Sequence, residues 1–339
     1  MSKETMQHLN TNILVGDVAE RGRAWHFNAA HQGTESNHYQ GSIPVEDVVR
    51  RIFSWSPVEQ PITATTLTDS GEIVAAETGR KTITRSDSGA FLGVVGDEYQ
   101  VHDYKTWLLD SWGQILDSDE VHVSNAGLLR GGSRAFVQIA RPDFIDAAGV
   151  QFRPFLLAAT AVDGSMSSTF KAATTVTVCD NTLEMALSEK GNQHKTRHTS
   201  KSSLNVLSIR EALGILHNQE AAFAAEVERL VAEKVDTDRF LRWADAFAGM
   251  TDEKQSKQGR GLTMAQNKRA QLLTLWRDDA RVAPWAGTAF GVLQTANTWT
   301  HHIQSVKTTT NRVERNIDNV ITGEGAKSDR QALALLATV

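Results

Sequence analysis

One cysteine in 339 residues excludes an internal disulfide, so the fold rests on packing, and a reducing interior suits such a chain. No apolar run approaches the ~20 residues of a membrane helix. The first residues, MSKETMQHLNTN, lack the charged-then-apolar order of a secretory signal, so a cytosolic protein is expected. An excess of basic residues is also missing. Thirty-five Lys and Arg stand against 40 Asp and Glu, a net charge of −5 that does not advertise a nucleic-acid binder. Net charge averages over a surface, however, and leaves room for a local basic face. What remains is ordinary globular material, 40% hydrophobic and 22% charged, long enough for one large domain or two.

Enzyme signatures are lacking as well. Gly323-Glu-Gly-Ala-Lys-Ser328 has glycines and a lysine, but the wrong spacing for a phosphate loop and no strand before it; it reads as a link between two helices. His194 and His198 are four apart, without the Glu of a zincin and amid cations that repel a metal. His301-His302 has no cysteine or carboxylate nearby and reads as a pair on a helix surface. Asp103, Asp110 and Asp117 recur every seven residues, the wet face of an amphipathic helix; a metal-dependent nuclease on these carboxylates is the enzymatic alternative. Cys179 lies in a Val-rich strand and reads as a buried thiol. No cofactor or metal is expected, and the protein reads as non-catalytic.

The pattern is richest over 98–188. Trp107, Leu108, Trp112, Ile115 and Leu116 put a helix at 103–117. Strands follow at 121–129 and 133–139, joined by Arg130-Gly131-Gly132, and again at 152–161. Asp163-Gly164-Ser165 turns the chain into a strand at 172–179, and Asp180 or Asn181 caps a short helix through Leu187. Before this block, the first forty residues carry little secondary-structure signal; Trp25, Phe27 and Tyr39 are candidates to tack them onto a core or a neighbouring subunit. Pro44 opens a helix containing Val45, Val48, Val49 and Ile52. Strands are expected at 62–67, 81–85 and 91–95, with a turn at Ser70-Gly71. After the block the chain reads as helical: 202–234, a helix started at Asp236 and stopped at Gly249, then 264–280, 288–307, and a last one capped by Ser328.

Several phrases, in order, resemble the phage/plasmid-like protein family. They are LGVVGDEYQVHDY at 92–104, the Gly-Gly hairpin at 127–136, Asp163-Gly164-Ser165, VTVCDNTL at 176–183, HKTRHT at 194–199 and GTAFGVLQTANTWTHH at 287–302. That family carries no settled activity. The order helix, antiparallel meander, helix also resembles the core of single-strand annealing recombinases, which assemble as rings or filaments and hold single-stranded DNA by its backbone. That likeness implies a bacterial host cytoplasm, single-stranded DNA and further copies of the chain as partners, and a phage exonuclease as a further one.

Annealing needs cations that neutralise phosphates while leaving base edges free. Residues 194–201, HKTRHTSK, supply His194, Lys195, Arg197, His198 and Lys201 without an acidic residue. Arg130 and Arg134 flank the Gly-Gly turn, where a backbone can approach a phosphate, and Lys171 follows the Asp163 turn. The ordinary readings are a solvated loop for 194–201 and a solubilised hairpin for the arginines. A second basic stretch, 254–269, reads as a solvated linker. The expectation is an α+β protein whose antiparallel meander is flanked by helices. It has a polar arm at 1–42, a mixed core at 43–189, and a basic loop with a helical region at 190–339. It binds and anneals single-stranded DNA in phage recombination; the alternative is an accessory protein acting by protein contacts through its helical half.

Overall fold

A computed structural model describes residues 3–24, 27–110, 116, 121–176, 181–183, 193–199, 209–251, 259–306 and 312–339. It is α+β, with antiparallel sheets and a helical C-terminal half. The chain divides into two compact units. One comprises Met1–Pro142, Leu156–Ala172 and Gln193–Gly214; the other comprises Asp143–Phe155, Ala173–Asn192 and Ile215–Val339.

In the first unit, the described residues before 42 hold secondary structure that their polar pattern does not signal. Helix α1 (Lys3–Asn12) leads into strand β1 (Ile13–Val15), which pairs antiparallel with β5 (His122–Leu129) through Ile13↔Gly127 and Val15↔Asn125. Leu9, Ile13, Leu14 and Val15 are buried, each contributing roughly 1.5–3 kcal/mol on the usual scale for a side chain of this size. A Cβ at Gly127 would come within 2.9 Å of the Asn12 carbonyl oxygen, so glycine lets β1 lie this close. Asp17, at φ 58, ends the arm and accepts a 2.9 Å contact from Nε2 of His122.

Helix α2 (Val18–Arg21) and helix α3 (Val45–Arg51) follow, the latter entered from Pro44 as its N-cap. Strands β2 (Pro57–Leu67), β3 (Ile73–Arg85) and β4 (Phe91–Gly96) form a separate three-stranded sheet. They extend well beyond the expected segments, and β2 contains both Pro57 and Pro61. Only the base of this sheet is covered: Ile83 and Val95 are buried, whereas most of 59–80 is exposed.

Helix α4 (Tyr104–Leu108) buries Tyr104, Trp107 and Leu108, and Asp103 caps it by accepting from the Thr106 amide at 3.1 Å. The α-helix stops at Leu108, with Leu109 as its C-cap, and of the rest of the helix expected at 103–117, residues 111–115 and 117 lie outside the described residues. The main sheet runs β1-β5-β6-β8-β9, with β6 at Arg134–Ala140, β8 at Val150–Ala161 and β9 at Ser168–Val176; β11 (Gln193–Thr196) pairs with β9. Hence the stretch expected as a basic loop starts as an edge strand.

The second unit holds β7 (Ile145–Ala147) on the first half of β8, and β10 (Asn181–Leu183) on the second half of β9. At β10 the expected short helix is a strand instead: pairing with Thr174–Val176 wins over the local capping signature. Its helices are α5 (Ile209–Ala232) from Ile215 onward, α6 (Thr237–Ala248), α7 (Arg260–Asp278), α8 (Ala289–Thr298), α9 (Arg312–Thr322) and α10 (Glu324–Leu336). Asp236 caps α6 by accepting from the Arg239 amide at 2.7 Å, and Gly249 ends it at φ 72, as the sequence expects. Ser328, expected as a cap, lies inside α10; Gly323 at φ 80 makes the break. Phe240 stacks on Trp276 at 4.0 Å, and the Trp243 indole donates to the Ala332 carbonyl at 2.9 Å.

Helix α8 is unusual in burying polar side chains, Gln294, Thr295, Asn297 and Thr298 among them. Asn297 donates to the buried Asp329 carboxylate at 3.1 Å. A π-helical turn, Trp299–Ile303, continues it and buries His301, which is therefore not the surface residue expected. Burial, followed by His302 and Arg315, pushes the His301 imidazole down to about 3. The Arg315 guanidinium donates to the Gln304 carbonyl at 3.4 Å, and that of Arg312 to the same oxygen at 3.0 Å, so two cations close the negative end of this helix.

Candidate nucleic-acid interface

The hairpin between β5 and β6 is a tight turn in which Arg130, Gly131 and Gly132 all have positive φ, at 52, 69 and 105. Arg130 is exposed. Gly131 faces open space, so conformation alone demands glycine there. At Gly132 a Cβ would lie 2.9 Å from Nη1 of Arg85 and 3.3 Å from the Trp55 ring. Arg85 is fixed in turn, 4.1 Å above the Trp55 ring and bidentate on Asp87, which it holds down to about 2. The Tyr104 hydroxyl donates to the Gly132 carbonyl at 2.8 Å. The turn is thus clamped from one side, and a further cation, Arg85, sits at it that the sequence reading did not select.

Arg134 starts β6 but does not present charge to water. It is 3% exposed and donates from Nη2 to the Ser165 hydroxyl at 2.9 Å, bracing the Asp163-Gly164-Ser165 turn. This corrects the expectation that it lines a solvent groove: its strand position points it inward.

His198 needs the same correction. Its ring lies between those of Tyr99 (4.6 Å, 9°) and His102 (3.9 Å, 23°), and His102 stacks in turn on Trp107 (3.5 Å, 10°). The Gln100 carbonyl lies 2.9 Å from Nδ1 of His198 and can only accept, so that nitrogen carries the proton. Nε2 then accepts from Thr160, whose hydroxyl is 3.5 Å away. The chain continues from Thr160 to Ser168 at 2.6 Å and from Ser168 to Nδ1 of His102 at 2.6 Å. Nε2 of His102 is buried without a partner among the described residues.

Burial holds both imidazoles neutral. It pushes His102 down to about 3, helped by His198, and lowers His198 against the opposing pull of the Gln100 and Met166 carbonyls. A neutral, enclosed ring neutralises no phosphate. Its role is to pin the 99–107 segment onto the sheet, and Tyr99, which donates to the Ala161 carbonyl at 2.9 Å, is part of the same device.

The remaining cations are more accessible. The β9–β11 register sets Lys195 opposite Thr169 and Gln193 opposite Lys171. Alternation along the strands therefore places Lys171 and Lys195 on one face, as diagonal neighbours, a step of about 7–8 Å. Lys171 is half-buried; Lys195 and Arg197 are exposed. His194 pairs through its backbone with Phe170, and Lys201 lies outside the described residues. All of these belong to the first unit. The second basic stretch is not a linker from Arg260 onward: Lys268 lies 3.9 Å over the Phe247 ring, and Arg269 pairs with Asp245.

Among the described residues, no group of three or more His, Cys, Asp or Glu could hold a metal ion, and no helix is long and apolar enough to cross a membrane. Asp103 spends its carboxylate on a helix cap. No curated protein and no solved structure matches the chain. A family described as a domain of unknown function (DUF932) matches residues 91–320, more than half of the sequence, and the chain belongs to that family.

Proposed function

We propose that this chain binds single-stranded DNA through its phosphates and anneals complementary strands, without catalysis and without reading sequence, in phage recombination within a bacterial host cytoplasm. The observation that carries the reading is the shared face of Lys171 and Lys195 at the β9–β11 edge, continued by exposed Arg197. Arg130, exposed on a turn stiffened by Trp55, Tyr104 and Arg85, adds a fourth cation in the same unit. Cations spaced along a strand edge neutralise successive phosphates and leave base edges turned away to pair. The resemblance to single-strand annealing proteins adds ring or filament assembly along the DNA and an exonuclease that supplies the strand.

Filter binding of a labelled oligonucleotide across a salt series tests this. Affinity should fall steeply with salt, and Lys195→Ala and Arg197→Ala should each flatten the log–log slope by about 0.7, the single-strand value per phosphate. Two oligonucleotides of unrelated sequence should bind alike. Equal slopes for the wild type and both variants would overturn the assignment of this edge.

A second reading, contact with a host or viral protein and no DNA role, is favoured by the exposed apolar side chains of β2–β4 rather than by the helical half. An oligonucleotide-dependent shift in size-exclusion elution belongs to the first reading alone.

A further inference from the structure

In the second unit, two arginines meet the end of the π-helical turn, and no acid matches them. Arg312 and Arg315, three residues apart on α9, are both half-buried. Among the described residues neither touches a carboxylate. Their acceptors are the Thr300, His301 and Gln304 carbonyls and the Asn316 side-chain oxygen. Both Nη1 atoms reach the Gln304 oxygen, so two like charges sit side by side. The same unit pairs Arg229, Arg239, Arg269 and Arg281 with carboxylates.

Capping accounts for part of this charge only. A helix end carries roughly half a negative charge, so two guanidiniums leave an excess of more than one positive charge. Burial lowers both guanidiniums below their ordinary range, and Arg312 adds to the effect on Arg315. That is the direction expected of enclosed cations without a counterion.

The hydrogen bonds also give the site a direction. Arg312 spends Nη1 on two carbonyls, His301 at 3.2 Å and Gln304 at 3.0 Å, which holds its guanidinium plane. Its Nε–Nη2 edge meets no protein acceptor among the described residues. That edge is the fork with which arginine grips two oxygens of one anion. Arg315 is more fully engaged: Nη2 donates to the Thr300 carbonyl at 2.5 Å and to Oδ1 of Asn316 at 2.9 Å, and Nε to the same Oδ1 at 3.3 Å. It contributes charge more than donors.

We propose that Arg312 and Arg315 form a binding site for a phosphate dianion, either inorganic phosphate or the terminal phosphate of a small ester. Arg312 grips two of its oxygens through the Nε–Nη2 edge, and Arg315 supplies the second charge. A dianion matches the pair, whereas a monocarboxylate leaves one cation unmet. The site uses none of the residues assigned to DNA and stands or falls apart from that reading.

Isothermal titration calorimetry of the full chain at constant ionic strength tests this, with inorganic phosphate, adenosine monophosphate and acetate as separate titrants. One phosphate per chain is expected, with acetate weaker by about tenfold or more. Tighter binding of the monophosphate identifies an ester as the ligand, and binding of phosphate alone identifies the free ion. Arg312→Gln should weaken phosphate by about tenfold or more. Arg312→Lys keeps the charge and a donor for the carbonyls but loses the fork, and should fall between the two. Arg277→Gln, exposed on α7, should bind as the wild type does. Phenylglyoxal labelling of the unmutated chain, read by peptide mass spectrometry, needs no substitution: phosphate should protect Arg312 and leave Arg277 reactive. No phosphate binding by the wild type, undiminished binding by a folded Arg312→Gln variant, or Arg312 labelled equally with and without phosphate would each overturn the proposal.

Discussion

Acid should unfold this protein through histidines it holds neutral, and His102 is the clearest case. Its imidazole is 2% exposed, stacked on Trp107 and His198, and pushed down to about 3 chiefly by burial. In the unfolded chain the same group titrates near 6.5. The folded value is the lower, so below pH 6.5 the unfolded state binds the extra proton and stability falls with pH. The contribution is complete above about 6.5 and is lost progressively down to about 3. At pH 5 the loss from His102 alone is about 2 kcal/mol, from 1.5 units at ~1.36 kcal/mol each. Urea denaturation at a series of pH values, followed by far-UV circular dichroism, measures the slope. His102→Phe keeps an aromatic ring in the stack and removes the titration. It gives up the hydrogen bond to Ser168, about 1–3 kcal/mol at all pH values, but should flatten the decline between about pH 7 and 5. The reasoning is refuted if the His102→Phe variant declines as steeply as the wild type over that interval.

Three further outcomes are expected from denaturant unfolding. Gly131→Ala should cost about 1–2 kcal/mol for its left-handed backbone alone, and Gly132→Ala more, because its Cβ also meets Arg85 held on Trp55 and Asp87. Asp329→Leu should cost about 1–3 kcal/mol by depriving the buried Asn297 amide of an acceptor, and adding Asn297→Leu should restore part of it, a coupling that a double-mutant cycle reads directly. Asp236→Ala should cost about 1 kcal/mol through loss of the cap on α6, and Asp236→Asn much less.

Local chemistry was legible where it decides structure by itself. Gly131-Gly132 marks a turn because few residues tolerate positive φ, and Asp236 and Gly249 bound α6 by satisfying its free amides and carbonyls. Three-residue strands were not legible: β1 is too short to show alternation, and β10 follows Asp180-Asn181, which reads locally as a cap. Charge hid β11, since a Lys- and His-rich segment reads as solvated until β9 is found beside it. Of the candidate site, Lys171 and Lys195 were chosen for charge alone, and only register puts them on one face. Nothing near His198 in the chain signals that it stacks on Tyr99 and His102, about a hundred residues earlier. The one available hint was the aromatic and imidazole content of EYQVHDY, a phrase noticed for its resemblance and not for its rings.

The zipper between Ile13–Val15 and Asn125–Gly127 bears on how the protein should be trimmed. The segment that matches the family, 91–320, looks like a natural piece to express. Cutting there discards β1 and bares the backbone groups of a long, otherwise buried strand, an invitation to sticky edge-to-edge pairing. At the other end the same cut removes Ala332, whose carbonyl receives the Trp243 indole, and Asp329 with it. Such a fragment should precipitate where the longer chain stays in solution, and its failure would say nothing about the family's activity.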